Sequence, residues 1–224
     1  MTLILRALVS LLVLALLIAA ALFATAGTLD YWQGWIYLLV FIAFSVAATV
    51  DLARRDPALL ERRMHGGPTA EREPAQRVIM LLASACFIAL LMVPAFDRRY
   101  GWSSMPTGVC VLGDLLVMAG LLGVMRVYRE NSYAAATIQV AAGQTVIATG
   151  PYAIVRHPMY AVSLLYIVGM PLALGSYYGL LASATLIAVV IARLLNEERV
   201  LERDLPGYRE YRQRVRHRLI PGVW

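Results

Sequence analysis

From His157 to Ala192 the chain runs for 36 residues without a formal charge at neutral pH. A bilayer core of ~30 Å is crossed by about 20 apolar helical residues, so this run is too long for one crossing. Gly169, Pro171 and the stretch Gly175-Ser-Tyr-Tyr-Gly179 interrupt it, and Gly and Pro at that density break a helix. The pattern predicts two short helices forming a tight hairpin, near 159–174 and 179–195. Residues 7–29, 31–50 and 78–96 are also uncharged, and Pro106–Met125 is apolar except for Asp114. The expected fold is therefore an all-α integral membrane protein of six transmembrane helices. A signal peptide is the other reading of the first run, but its 23 uncharged residues exceed the usual ~7–15-residue apolar region.

Charge placement tests that count. The chain has 20 basic residues, all arginine, against 14 acids, a net charge of +6. With the N-terminus in the cytoplasm, six crossings put eighteen arginines inside: Arg6, the six from Arg54 to Arg77 (Arg72 among them), Arg126, Arg129, Arg156, and the eight from Arg193 to Arg218. Only Arg98 and Arg99 are left outside, as the positive-inside rule requires. Both termini are expected in the cytoplasm, and in the cell inner membrane if the chain is bacterial. Membrane orientation accounts for the positive charge, and no nucleic-acid partner is expected. The polar material gathers on one face, in 53–77, 126–157 and 193–224. Each segment is too short for a separate nucleotide-binding domain, and neither a G-x-G-x-x-G nor a Walker A pattern occurs. Cys86 and Cys110 lie in apolar runs far from any His, so neither a disulfide framework nor a metal site is expected.

Two polar clusters carry the chemistry. In Gly150-Pro-Tyr-Ala-Ile-Val-Arg-His-Pro-Met-Tyr160, Gly150-Pro151 makes a turn and Pro158 suits the first turn of the following helix. Arg156 and His157 then stand at a helix N-terminus, where anionic groups are stabilised. A plain basic juxtamembrane turn with an interfacial tyrosine has the same composition. The second cluster is Arg193-Leu-Leu-Asn-Glu197-Glu198. Arg193 and Glu197 are four residues apart and share one helix face, either as a helix-end ion pair or as an Arg for a substrate carboxylate beside a Glu for a cationic cofactor.

The ordered set GPYAIVRHPMY, hairpin, RLLNEE, Gly207-Tyr-Arg-Glu-Tyr211 and Leu219-Ile-Pro-Gly222 resembles the isoprenylcysteine carboxyl methyltransferase family. These are polytopic membrane enzymes that use S-adenosylmethionine, and the related phospholipid N-methyltransferases share GPY…RHP..Y. The resemblance spans roughly 126–222. It implies N-terminal transmembrane helices in 1–125 and a catalytic region in 126–224, whose basic tail folds back over the cofactor. Carried over by position, it assigns Gln139, Gln144, Thr145, Val146, Ile147, Tyr152, His157, Pro158, Met159, Tyr160 and Glu197 to the cofactor. It assigns Arg193 to the substrate carboxylate, and Arg193 and Glu197 to catalysis.

Methyl transfer from a sulfonium requires no metal and no covalent enzyme intermediate, only an acceptor held in line. A carboxylate is nucleophilic at pH 7, and a guanidinium would hold it bidentately. That favours a lipophilic, isoprenylcysteine-like acid, small or attached to a protein, entering between helices from the lipid. A phospholipid N-methyltransferase, an NADPH-dependent membrane reductase of the steroid-reductase type and a non-enzymatic scaffold or transporter are the alternatives. Asp114 is taken as structural, near the outer end of its helix. His65 and His217 are expected to be solvated. Tyr31, Trp32, Trp35, Tyr37, Trp102, Tyr177 and Tyr178 are expected in interfacial belts.

Overall fold

The computed structural model describes residues 2–71, 73–141 and 143–224; Arg72, placed above with the inside arginines, lies outside them. The described residues form eight α-helices: α1 (Leu3–Ala26), α2 (Trp32–Arg55), α3 (Pro57–Met64), α4 (Pro74–Tyr100), α5 (Thr107–Glu130), α6 (Pro158–Ala173), α7 (Gly179–Asp204) and α8 (Tyr208–Arg214). The chain is an all-α integral membrane protein. Five of its helices, α1, α2, α4, α5 and α7, are long and apolar enough to cross a membrane. The predicted hairpin is present, but α7 continues past 195 to Asp204, which lifts Glu197 and Glu198 onto a helix. The polar stretch after α2 is not all loop. Asp56 caps α3 through its carboxylate, which accepts from the Leu59 N–H at 2.9 Å, and Pro57 fills the first turn.

These five helices and α6 stand in a ring ordered α2, α1, α4, α7, α6, α5 and back to α2. The ring encloses one core, with Leu22, Tyr37, Leu90 and Met170 fully buried at its centre. Leu12, Leu16, Leu17, Leu39, Leu81 and Leu181 are exposed on its outside, the pattern of a bundle solvated by lipid. Lipid gives no hydrophobic drive for helix pairing, so close backbone packing has to supply it. At the α5–α6 seam a Cβ on Gly113 would lie 2.1 Å from the Ala173 nitrogen, and one on Gly169 would lie 2.8 Å from the Gly113 oxygen. Glycine alone permits this approach, and it sets how α6 enters the site.

α6 has only 16 residues, and the turn that follows it is held to the end of α4. Beyond it, Ser176 donates to Asp97 near the end of α4, and the Tyr177 N–H donates to the Ser103 hydroxyl. Arg98 donates to Asp30 between α1 and α2 at this same end. At the other end Arg129 of α5 pairs with Asp51 of α2. Arg98 and Arg99 therefore lie opposite the arginine-rich end, as the sequence predicted.

The aromatic belt needs correcting. Trp32, Trp35, Trp102, Tyr177 and Tyr178 are exposed, whereas Tyr31 and Tyr37 are buried. Tyr31 donates to the Leu174 carbonyl at 2.6 Å and Tyr37 shares a hydrogen bond with Tyr166. Tyr31, just before α2, and Tyr37, within it, both turn their rings inward, and each hydroxyl finds a partner there. His217 is half-buried and also departs from expectation: its backbone carbonyl accepts from the Arg156 N–H. His65 is exposed. Asp114 is buried, with Oδ1 unpartnered among the described residues.

Candidate active site

The arginine-rich end holds a cavity of about 360 Å³, within the ~300–1,000 Å³ of small-molecule sites. Its wall includes Gln139, Gln144, Thr145, Val146, Ile147, Tyr152, His157, Pro158, Met159, Tyr160, Arg193 and Glu197. All the residues singled out from the sequence thus face one space. Gln144 is partly committed elsewhere, since its side-chain oxygen accepts from the Ala141 N–H at 2.9 Å.

The Gly-Pro turn owes its shape to Gly150. Its φ is +54°, and a Cβ there would lie 2.4 Å from a Glu130 carboxylate oxygen. Glu130 itself accepts from Thr149 and Arg126, so the turn is anchored to the end of α5. Tyr152 follows, accepting from Asn131 Nδ2 at 2.8 Å through its hydroxyl and from Tyr211 at 2.8 Å through its carbonyl. Burial pushes the Tyr152 hydroxyl up to about 12 and raises those of Tyr208 and Tyr211 well above the ordinary tyrosine range. All three remain neutral at physiological pH.

Arg156 turns away from an external ligand and into the protein. Its Nε donates to Glu198 at 2.7 Å, and its Nη1 donates to the carbonyls of Val215 and Arg216. His157 Nε2 lies 3.3 Å from the same Glu198 oxygen, and Arg218 Nε donates to the other at 2.9 Å. A carboxylate can only accept, which assigns the ring proton to His157 Nε2. Glu198 is thus a buried hub tying the turn to the tail, and backbone bonds from Arg156 and His157 to His217 and Arg218 complete the clasp. The sequence reading passed over Glu198. Its position one residue after Glu197 turns it about 100° around the helix, toward the tail.

Arg193 and Glu197 both line the cavity, but the helix-end pair is not made between them among the described residues. Glu197 accepts from the Tyr160 hydroxyl at 2.6 Å. Arg193 donates to Glu71 at 2.8 Å, Gln76 at 3.1 Å, the Ala136 carbonyl at 3.1 Å and the Tyr160 hydroxyl at 3.2 Å. Four of the five guanidinium N–H groups are used. The bidentate grip on a substrate carboxylate expected from sequence is therefore corrected to a single free N–H. Glu71 and Gln76 are essentially fully buried and were missed, because each is one polar residue in a charged stretch 117 or more positions from its partner.

Residues 109–206 match the family model described as phospholipid methyltransferase. The match supports a membrane methyltransferase, and methyltransferases of this family generally use S-adenosylmethionine. It spans α5 to the end of α7, with Tyr152, Tyr160, Arg193 and Glu197, but stops short of Tyr208 and begins after Glu71. The chain is also similar to the cobalt-zinc-cadmium resistance protein CzcN of Cupriavidus metallidurans, at 31% identity over 109 residues. That alignment covers 46% of this chain and 49% of the other, so the chain spans about half the length of the curated relative it matches.

The cavity has the features a polar, cationic cofactor needs. Tyr208 and Tyr211 offer aromatic surface, and the buried Tyr208 hydroxyl has no partner among the described residues. Glu197 presents a carboxylate with one oxygen not taken by Tyr160.

Proposed function

We propose that this protein is an S-adenosylmethionine-dependent membrane methyltransferase acting on a lipophilic acceptor from the cytoplasmic face, with residues 126–224 as its catalytic region. The observation that carries the reading is the convergence of the GPY…RHP..Y turn, the 139–147 loop, Arg193 and Glu197 on one cavity at the membrane boundary. Bound S-adenosylmethionine supplies an activated methyl group on a cationic sulfur. Glu197 stabilises that cationic region, and Tyr160 holds the carboxylate in place through its hydroxyl. Arg193, locked by Glu71 and Gln76, offers its remaining N–H to the acceptor. Position and electrostatics do the work, without a covalent enzyme intermediate.

The acceptor expected from sequence is a carboxylate of an isoprenylcysteine-like amphiphile. A second reading, N-methylation of an aminophospholipid, gains support from the Glu71–Arg193 pair: a guanidinium already neutralised by a carboxylate is a weaker anchor for another one. Titration of the purified protein with S-adenosylhomocysteine and with NADPH tests the cofactor. Labelled methyl transfer to lipophilic thioether acids, amines and thiols then tests the acceptor. Binding of NADPH alone would overturn the methyltransferase reading.

A further inference from the structure

Three arginines line the cavity, and two of them are spent inside the protein. Arg156 is neutralised by Glu198, and Arg193 by Glu71. Arg63, on α3, is different. Its Nη1 donates to the Ala134 and Ala135 carbonyls at 3.0 and 3.2 Å, and its guanidinium carbon sits 4.7 Å from the centre of the Tyr128 ring. No carboxylate pairs with it among the described residues, and its Nε and Nη2 have no protein partner there. Those two nitrogens form the side-on edge with which arginine grips a carboxylate or phosphate bidentately.

The geometry points to Arg63 as the binding site for an oxyanion carried by the methyl acceptor, a phosphodiester or a carboxylate. Charge balance supports this. Around the cavity stand Arg63, Arg156, Arg193 and Arg218 against Glu71, Glu197 and Glu198, one positive charge in excess. S-adenosylmethionine, with its sulfonium, ammonium and single carboxylate, adds another. An oxyanion on the acceptor offsets that excess locally, where water is scarce.

Location argues for the acceptor over the cofactor. Arg63 lies on α3, the short helix that follows the α2 span, and Met80 lines the same cavity less than two turns into the α4 span. A headgroup oxyanion at Arg63 leaves its chain free to run along α4 into the bilayer. The carbonyls of Ala134 and Ala135 bind Arg63 while that of Ala136 binds Arg193. One short segment therefore sets the anion site beside the guanidinium nearest the transfer.

This inference rests on the methyltransferase reading, and one experiment separates the two. Wild type, Arg63→Gln and, as a control beside it, Arg62→Gln are placed in uncharged nanodiscs. Each is titrated with S-adenosylhomocysteine, and with its cofactor bound, with lysophosphatidylethanolamine, a dodecyl thioether acid and uncharged monoacylglycerol. Glutamine ends two bonds short of Nη1 and gives up the bonds to Ala134 and Ala135, so unchanged S-adenosylhomocysteine and monoacylglycerol binding serve as the check that the fold is kept. Expected is unchanged S-adenosylhomocysteine affinity in both variants, and a tenfold or greater loss in Arg63→Gln alone for one of the two oxyanion-bearing probes. The probe that is lost names the oxyanion, and monoacylglycerol binding stays constant. Affinities for both oxyanion-bearing probes within twofold of wild type in Arg63→Gln, or neither of them binding to wild type, overturn the assignment. Loss of S-adenosylhomocysteine affinity in Arg63→Gln also overturns it, by moving Arg63 to the cofactor carboxylate. Failure of wild type to bind S-adenosylhomocysteine instead sinks the methyltransferase reading.

Discussion

Glu71 and Arg193 form a 2.8 Å ion pair across 122 positions of chain, with the Glu71 side chain wholly buried and that of Arg193 nearly so. The pair ties the segment just before α4 to the middle of α7, and Gln76 reinforces it by accepting from Arg193 Nη1 and donating to Asn196 Oδ1 at 2.6 Å. Its consequence is a guanidinium fixed in place and nearly out of free donors.

Removing one partner of such a pair strands the other as a buried charge, at a typical cost of ~3–5 kcal/mol. Arg193→Ala and Glu71→Ala are each expected to lower the thermal midpoint in detergent sharply. The double variant Glu71→Ala/Arg193→Ala should recover part of that loss. Equal, additive losses would show that the two residues do not act as a pair.

Glu197 is expected to govern cofactor affinity. Glu197→Gln keeps the shape and the Tyr160 hydrogen bond but removes the negative charge. S-adenosylhomocysteine, which lacks the sulfonium, should lose less affinity than S-adenosylmethionine, and calorimetric titration of both ligands measures the difference. Identical losses would place Glu197 away from the cationic sulfur.

Glu198 should control the tail rather than the transfer. With Glu198→Gln, Arg156 and Arg218 lose their shared carboxylate, and the clasp on residues 215–218 weakens. Limited proteolysis within 205–224 is expected to speed up at least tenfold while helices α1–α5 stay resistant. An unchanged cleavage rate would assign the clasp to the backbone bonds alone.

The buried tyrosines set a high-pH limit. Tyr152 titrates near 10 in an unfolded chain and about 12 in the folded protein, because burial disfavours the phenolate. A raised value of this kind contributes stability that is fully present below pH ~10 and is lost as pH rises through ~12. Protease resistance of the tail should hold to about pH 9 and fall above pH 10. Tyr152→Phe should shift that fall upward.

Reporter fusions at residue 70 and residue 224 should report the same, cytoplasmic, side. Opposite sides would refute the six-crossing arrangement.

What the sequence determined by itself is local in origin. Apolar run length against bilayer thickness gives the long helices, Gly and Pro density gives the α6–α7 hairpin, and the arginine split gives the two ends of the bundle. The GPY…RHP..Y and RLLNEE runs name residues that do share a cavity, because each run is held by one turn or one helix. Only the tertiary structure decided the partners. Arg193 pairs with Glu71 and not with Glu197; Glu198, one position along, serves the tail; Tyr31 and Tyr37 face the core and not the interface; Arg63 reaches the cavity from a helix the motifs do not include. Each of these depends on the order of helices around the ring, which brings residues up to 143 positions apart into contact. Backbone periodicity cannot encode that order, since any arrangement of the same helices satisfies the same hydrogen bonds within each one.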